Sequence, residues 1–206
     1  MKLSVFPRFA NPSSIAALAL FAALSLTGCG AMLAQNPSSP LKPVNAVAEG
    51  GDSRVMLFGH DVVAYHTLGR HALGSPQIKS VHEGVTFRFA NAEHKALFDR
   101  EPQKYLPQYG GFCANGIAYG IPWGGDADSW RIDDGKLYIF GGKGSKDAYE
   151  IDIPRNRALA DRYWKEEVSG SNSFFQRTKR LVLRVPHYKS GEDLARDVAA
   201  AKAKKS

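Results

Sequence analysis

Residues 85–120 read VTFRFANAEHKALFDREPQKYLPQYGGFCANGIAYG, and three local patterns follow one another in this stretch. The alternation of apolar and polar residues at 85–89 predicts a strand with one apolar face. Asn91 is a favourable N-cap for a helix, and Pro102 begins a further turn or helix. A glycine-rich turn that contains Cys113 ends the stretch. We therefore expect a strand, a helix and a tight turn in this order.

The flanking segments predict two hairpins and another helix. QIKSVHEGVTFRFA (77–90) alternates on both sides of His82-Glu83-Gly84, and WRIDDGKLYIF (130–140) contains the strong two-residue turn signal Asp134-Gly135. PRNRALADRYWKEEV (154–168) places a proline at a helix start and repeats apolar residues at helical spacing. VMLFG (55–59) and VVAYH (62–66) are short runs typical of strands.

The N-terminal segment has the features of a bacterial lipoprotein signal. Lys2 and Arg8 precede an apolar run at 15–26, which is too short to span a bilayer comfortably but suits a signal-peptide core. The run ends in LTGC, which resembles a lipobox whose cysteine, Cys29, is acylated with palmitate-like chains and becomes N-terminal after cleavage. An ordinary signal peptide followed by a coincidental cysteine is the alternative.

These features predict the domain boundaries and the location. Residues 1–28 form a lipoprotein-type signal peptide, and 29–53, rich in Pro, Ser, Ala and Gly, form a flexible tether. A folded domain spans 54–168, and 169–206 form a basic, partly helical extension. Gly30 stands where an aspartate would resemble an inner-membrane retention signal, so the periplasmic side of the outer membrane is the expected location.

Composition and charge limit the classes of partner. With 44% hydrophobic and 23% charged residues, the chain is typical of a soluble globular protein and not of a multi-span membrane protein. The net charge is +7, and residues 171–206 account for +6, with nine Lys or Arg against three Asp or Glu. Basic segments bind nucleic acid or anionic surfaces. We expect no nucleic acid at the predicted location, so the basic extension either contacts anionic lipid headgroups or is simply solvated.

Cys113 has no disulfide partner within the chain if Cys29 carries lipid. The sequence leaves three roles open for it. It fills a small hole in the core, it is a metal ligand, or it is a nucleophile activated at the start of a short helix.

Metal binding would need further ligands. Copper and zinc take thiolate and imidazole ligands, usually three or four of them. The candidate set is Cys113, His60, His66 and His94, with a copper or zinc ion as the cofactor. A different class of function is suggested by the dense aromatic residues between 105 and 130, which either line a small-molecule pocket or form a core seam.

Three blocks of the sequence resemble the YHS-domain family. They are GHDVVAYHTLGRHALGSP (59–76), the stretch 85–120 quoted above, and DADSWRIDDGKLYIF (126–140). The resemblance covers roughly residues 55–165. It implies an α+β fold in which a small antiparallel sheet of short hairpins packs with helices. The family is associated with heavy-metal binding through paired cysteines, and this domain contains Cys113 alone.

The sequence thus predicts an envelope-anchored YHS-type lipoprotein that is not an enzyme and binds copper or zinc near Cys113. A thiol-dependent redox enzyme that uses Cys113, and an envelope protein that binds a small ligand or a partner, are the two alternatives. The membrane is expected to be contacted through the lipid anchor at Cys29.

Overall fold

The structure is a computed structural model, and it describes residues 42–204. The predicted signal peptide, the lipidation at Cys29 and most of the predicted tether lie outside the described residues. Six strands occur between residues 42 and 204. Their bounds are β1 Ala46–Glu49, β2 Asp52–Met56, β3 Ser75–His82, β4 Val85–Phe89, β5 Asp126–Asp133 and β6 Lys136–Phe140.

The strands form two sheets. The first has the order β1-β2-β4-β3, in which β2 and β4 run parallel and the other neighbours run antiparallel. The second is the antiparallel hairpin β5-β6. The same residues contain eight α-helices, namely α1 Ala64–Thr67, α2 Ala92–Arg100, α3 Pro102–Tyr105, α4 Ala114–Ile117, α5 Lys143–Glu150, α6 Ile153–Tyr163, α7 Ser173–Val182 and α8 Gly191–Ala203. This arrangement confirms the predicted α+β fold class. The four-stranded sheet is mixed and not antiparallel throughout as the resemblance implied, because β2 pairs with β4 in parallel.

The elements predicted from strong local signals are present. Both hairpins turn through a pair of residues with positive φ, Glu83-Gly84 and Asp134-Gly135. Asn91 caps α2, since its side-chain oxygen accepts the His94 backbone N–H at 2.8 Å. Pro102 begins α3, and α6 starts one residue before the predicted proline.

The prediction of a strand at VVAYH (62–66) is wrong, because Val62 and Val63 form a turn and residues 64–66 lie in α1. The Asp61 carboxylate causes this change, as its Oδ1 accepts the backbone N–H groups of Val63 at 2.9 Å and Ala64 at 3.3 Å. These bonds stabilise a helical turn, and they outweigh the weak strand preference of the β-branched residues.

The predicted tether extends too far toward the C-terminus. Residues 46–49 already form β1, and a turn at Gly50-Gly51 joins β1 to β2. Asn45 fixes this end of the fold, because its backbone N–H donates to the Gly110 carbonyl at 2.8 Å and its side-chain amide donates to the Gly125 carbonyl at 3.0 Å. The local composition contains no sign of these distant contacts.

The basic extension is helical and packs on the domain. It contains two helices, α7 and α8, in agreement with the partly helical extension expected from the sequence. Val185, in the segment that connects the two helices, is buried. In the same segment, the His187 Nε2 atom lies 2.9 Å from the Ala118 carbonyl oxygen, within hydrogen-bond distance. The described part of the extension therefore belongs to the fold.

Two hydrophobic clusters share β6. Leu137 and Ile139 point into the first cluster, which contains the apolar face of the four-stranded sheet and Phe98 of α2. Tyr138 and Phe140 point into the second, which α4, α5 and α6 complete. Successive side chains of a strand face opposite sides, so β6 joins the two clusters. Cys113 lies directly beside this strand and forms an isolated bridge with Ile139.

Candidate functional site

The glycine-rich turn before Cys113 has a strongly constrained backbone. Tyr109, Gly110 and Gly111 have φ angles of +54°, +60° and +77°, in the left-handed region that glycine tolerates best. At Gly110 the requirement is also steric, because a Cβ atom there would lie 2.7 Å from the Pro43 carbonyl oxygen. This turn reverses the chain and directs it into Cys113.

Cys113 is the N-cap of α4, as the sequence predicts for a cysteine at the start of a short helix. It is 3% exposed and forms no disulfide within the described residues. The Gly116 backbone N–H donates to the Cys113 Sγ atom at 3.4 Å, and the Ser145 Oγ atom lies 3.0 Å from the same sulfur. The Cys113 backbone N–H donates to the Trp123 carbonyl at 3.0 Å. The thiol is therefore held between α4 and α5.

A cavity of about 860 Å³ adjoins the Cys113 thiol, and we refer to it as the Cys113 cavity. Three parts of the chain line it: the segment from Cys113 to Asp126, the start of α5 with Ser145, and the C-terminal segment from Tyr188 to Lys202. In α8, the side chains of Leu194, Val198 and Ala199 form part of the wall. The volume lies within the range of roughly 300–1,000 Å³ that is typical of small-molecule sites.

The dense aromatic residues of this region divide between the two roles that the sequence left open. Tyr109 and Phe112 are buried in the second hydrophobic cluster, and Tyr105 is buried in the first, against which Trp130 packs. Tyr119 and Trp123 instead line the Cys113 cavity together with Tyr188. The cavity thus has the apolar and aromatic lining of a ligand pocket.

Asn115 is the most distinctive polar residue of the cavity. Only 6% of its surface is exposed. Asn115 lines the cavity, where its side chain is available to a polar group of a bound molecule.

An ion-pair cluster holds α8 beside the cavity. Asp147 in α5 accepts from Lys202 at 2.8 Å and from Lys143 at 2.9 Å. The hydrogen bond from Lys202, followed by the one from Lys143, lowers the pKa of the Asp147 carboxyl below its ordinary value. Lys189 pairs with Asp197 at 2.5 Å. Of these contacts, the Lys202–Asp147 pair links α8 to α5 beside the cavity.

His94, one of the predicted metal ligands, has both ring nitrogens engaged. Its Nδ1 atom lies 2.6 Å from the Oδ2 atom of Asp61, and its Nε2 atom lies 3.0 Å from the Oγ1 atom of Thr67. Both His94 and Asp61 are buried. The same Asp61 oxygen also accepts the Ala90 backbone N–H at 2.8 Å, so the pair connects α1, α2 and the end of β4.

The other two predicted histidine ligands lie in separate surroundings. The His60 Nδ1 atom is 3.0 Å from the Leu57 carbonyl oxygen. The His66 ring packs edge-on against Tyr105, and burial, with a smaller effect of Lys104, lowers the pKa of its imidazole.

The structure therefore does not assemble the predicted ligand set of Cys113, His60, His66 and His94. Between residues 42 and 204 there is no group of three or more His, Cys, Asp or Glu side chains that could hold a metal ion. The physical reason is that His94 is bound to Asp61 within the fold, whereas Cys113 is bound to Ser145 and Gly116 at the cavity.

The chemistry open to the Cys113 thiol is also limited by its neighbours. A nucleophilic cysteine is usually activated by a base within hydrogen-bond reach, most often a histidine. None of the described residues that line the cavity is a histidine, and Ser145 is the side-chain partner of the sulfur.

Sequence reasoning identified Cys113 but not the other polar residues of the cavity. Asn115 carries no local signal apart from its place in the glycine-rich stretch, and Ser145 lies in a helix that the sequence did not predict. The available signal for the part of the cavity formed by α8 was the spacing of Leu194, Val198 and Ala201, which predicts a helix that packs through one apolar face.

Comparisons with models of known protein families, with curated proteins and with solved structures found no match for this chain. Within the described part of the chain, no helix has both the length and the apolarity required to cross a membrane.

Proposed function

We propose that the chain is an envelope-anchored protein of the YHS type that binds a small, largely apolar molecule in the Cys113 cavity. The observation that carries the proposal is a cavity of about 860 Å³ in which the largely buried Asn115 adjoins aromatic and aliphatic walls. The YHS assignment rests on the three sequence blocks. The lipid anchor at Cys29 and the outer-membrane location rest on the LTGC sequence.

The walls favour an apolar ligand. Trp123, Tyr119 and Tyr188 supply aromatic surface, and α8 supplies aliphatic surface through Leu194 and Val198. Transfer of apolar surface from water to such walls contributes roughly 25 cal/mol per Å². A hydrophobic molecule therefore gains affinity from most of its surface.

The polar residues favour a ligand with one hydrogen-bonding end. Asn115 can both donate and accept, and the Cys113 thiol and the Ser145 hydroxyl, which lie 3.0 Å apart, also line the cavity. A few polar groups of this kind in an apolar pocket orient a ligand and provide specificity. Cys113 acts in this proposal as a soft, weakly polar contact for the ligand.

Metal binding near Cys113 receives no comparable support, because no ligand cluster surrounds the sulfur in residues 42–204. A thiol enzyme is less well supported than ligand binding for the same kind of reason, since the thiol has a serine hydroxyl and a backbone N–H as its partners. We therefore favour a binding function without catalysis.

Filling the cavity from α8 tests this proposal. Ala199 lines the cavity, so Ala199→Trp should place a large ring in the ligand volume. We expect the affinity for the apolar fluorescent probe N-phenyl-1-naphthylamine to fall by about tenfold or more. The measurement is a fluorescence titration of the full chain.

Ala200→Trp is the matched control. Ala200 is the next residue in α8, is exposed and does not line the cavity, so this variant should bind the probe as the unmodified chain does. Equal affinities for the two tryptophan variants, or no saturable binding to the unmodified chain, would contradict the proposal.

A further inference from the structure

Helix α7 presents its polar residues to the protein and its apolar residues to the solvent. On the inner side, Gln176 is 3% exposed, and its side-chain amide donates to the Gly120 carbonyl at 3.1 Å and to Glu167 at 2.9 Å. Arg177 donates to the Pro122 carbonyl at 2.7 Å. Polar contacts therefore dock this helix, whereas helices of globular proteins normally dock through their apolar stripe.

The outer side of α7 is largely apolar, with the exposed Thr178 near its centre. At 100° per residue, its large apolar side chains fall within an arc of about 120°. They are Phe174, Phe175, Leu181 and Val182, with exposed fractions of 41%, 58%, 45% and 76%, and Leu183 directly after the helix is 62% exposed. We refer to these five residues as the α7 face. Single exposed apolar residues are ordinary, but five large ones on one side of a short segment indicate an interaction surface.

The charge around the α7 face indicates an anionic partner. Lys179 and Arg180 both pair with the single carboxylate of Glu167, so one positive charge is left over. Arg184 stacks over the ring of Tyr188 and forms no ion pair with a described residue. Residues 171–206 carry a net charge of +6. An apolar stripe flanked by Lys and Arg is typical of helices that lie in a membrane interface.

The start of the described chain lies beside the same face. Val44 and Phe174 line one small cavity of about 160 Å³, so the chain enters the domain next to α7. Lys42 follows Cys29 by 13 residues, a segment that reaches at most about 45 Å when fully extended. If Cys29 carries lipid, the domain therefore stays within this distance of the bilayer. The segment from Cys29 then joins the domain on the side that contains α7.

From these observations we infer that the α7 face lies in the interface of an anionic phospholipid bilayer. The apolar side chains enter the boundary between headgroups and acyl chains, and the neighbouring Lys and Arg residues contact the phosphates. This surface is separate from the Cys113 cavity, so the inference does not depend on ligand binding there.

Tryptophan quenching by brominated phospholipid tests this inference. The full chain with Phe175→Trp is bound to vesicles that contain phosphatidylglycerol. The emission of the unmodified chain under the same conditions is subtracted, which leaves the emission of the added tryptophan. Brominated lipid should reduce the added emission by roughly a factor of two, because interfacial helices bury their apolar face about 5–10 Å deep. Raising the salt concentration should weaken the quenching by screening the Lys and Arg contacts.

Ala200→Trp is again the control, since Ala200 is exposed on α8 and is not one of the five residues of the α7 face, and its emission should not be quenched. An unquenched Phe175→Trp variant in chains that sediment with the vesicles would overturn the inference. Concentration-dependent dimerisation that shifts the Phe175→Trp emission without lipid would also overturn it, because a second copy would then cover the face.

Discussion

Replacement of Asp61 by alanine is expected to lower the free energy of unfolding by about 3–5 kcal/mol. Asp61 is fully buried, and its two oxygens accept four N–H groups. The donors are the backbone groups of Val63, Ala64 and Ala90 and the Nδ1 atom of His94. Alanine leaves these donors buried without an acceptor, which is the most costly outcome for a polar network.

Urea denaturation of the variants measures this effect. Asp61→Asn keeps one acceptor oxygen for the turn at Val63, so its loss should be smaller than that of Asp61→Ala. Asp99→Ala removes an exposed aspartate that pairs with Lys95, and its effect should stay below about 1 kcal/mol. If Asp61→Ala were as stable as Asp99→Ala, the buried network would not have the role we assign to it.

Replacement of Gly125 by alanine is expected to lower the free energy of unfolding by about 1–3 kcal/mol through overpacking. A Cβ atom at Gly125 would lie 2.5 Å from the Ile139 side chain and 2.6 Å from the Gly111 carbonyl oxygen. Neither neighbour can withdraw easily, because Ile139 is fully buried and Gly111 belongs to the constrained turn before Cys113. The substitution should therefore separate β5 from the segment that contains the thiol.

Gly124 is a matched control because it is adjacent and has a different environment. A Cβ atom there meets only the Asn45 Oδ1 atom, at 4.0 Å, so Gly124→Ala should change the stability by no more than about 0.5 kcal/mol. Thermal or urea unfolding of the two variants gives the comparison. Equal stabilities would show that the close packing at Gly125 is relieved without cost.

The parts of the fold with strong local signals were predictable from the sequence. The turns at Glu83-Gly84 and Asp134-Gly135 need only adjacent residues, and the Asn91 cap needs a residue three positions away. The start of a short helix at Cys113 also follows from its immediate neighbours. The three blocks that resemble the YHS family implied the α+β class, which the structure has.

The contacts that create the site join residues far apart in the chain. Asn45 reaches Gly125 across 80 positions, and this contact makes β1 part of the fold instead of the tether. Ser145 meets the Cys113 sulfur across 32 positions. The histidines illustrate the same limit, because His94 suits a metal ligand by residue type but is bound to Asp61, 33 positions earlier.

The inverted orientation of α7 could not be read from its hydrophobic pattern alone. The segment 173–182 has an apolar face, and such a face is normally expected to point inward. The direction is decided by Gln176, Arg177 and Arg180, whose partners Gly120, Pro122 and Glu167 lie elsewhere in the chain. Polar groups that find buried partners thus determine which side of the helix is exposed.

Protection of Cys113 from alkylation tests the central claim that this cavity binds an apolar molecule. The rate of Cys113 modification by iodoacetamide is measured on the full chain by peptide mass spectrometry, with and without N-phenyl-1-naphthylamine. At ten times the dissociation constant, mass action predicts a rate about tenfold slower in the presence of the probe. At the same probe concentration the Ala199→Trp variant, whose affinity is about tenfold lower or less, should be slowed by no more than about twofold. An unchanged rate in the unmodified chain while the probe is bound would contradict the account, because the ligand would then lie away from the thiol.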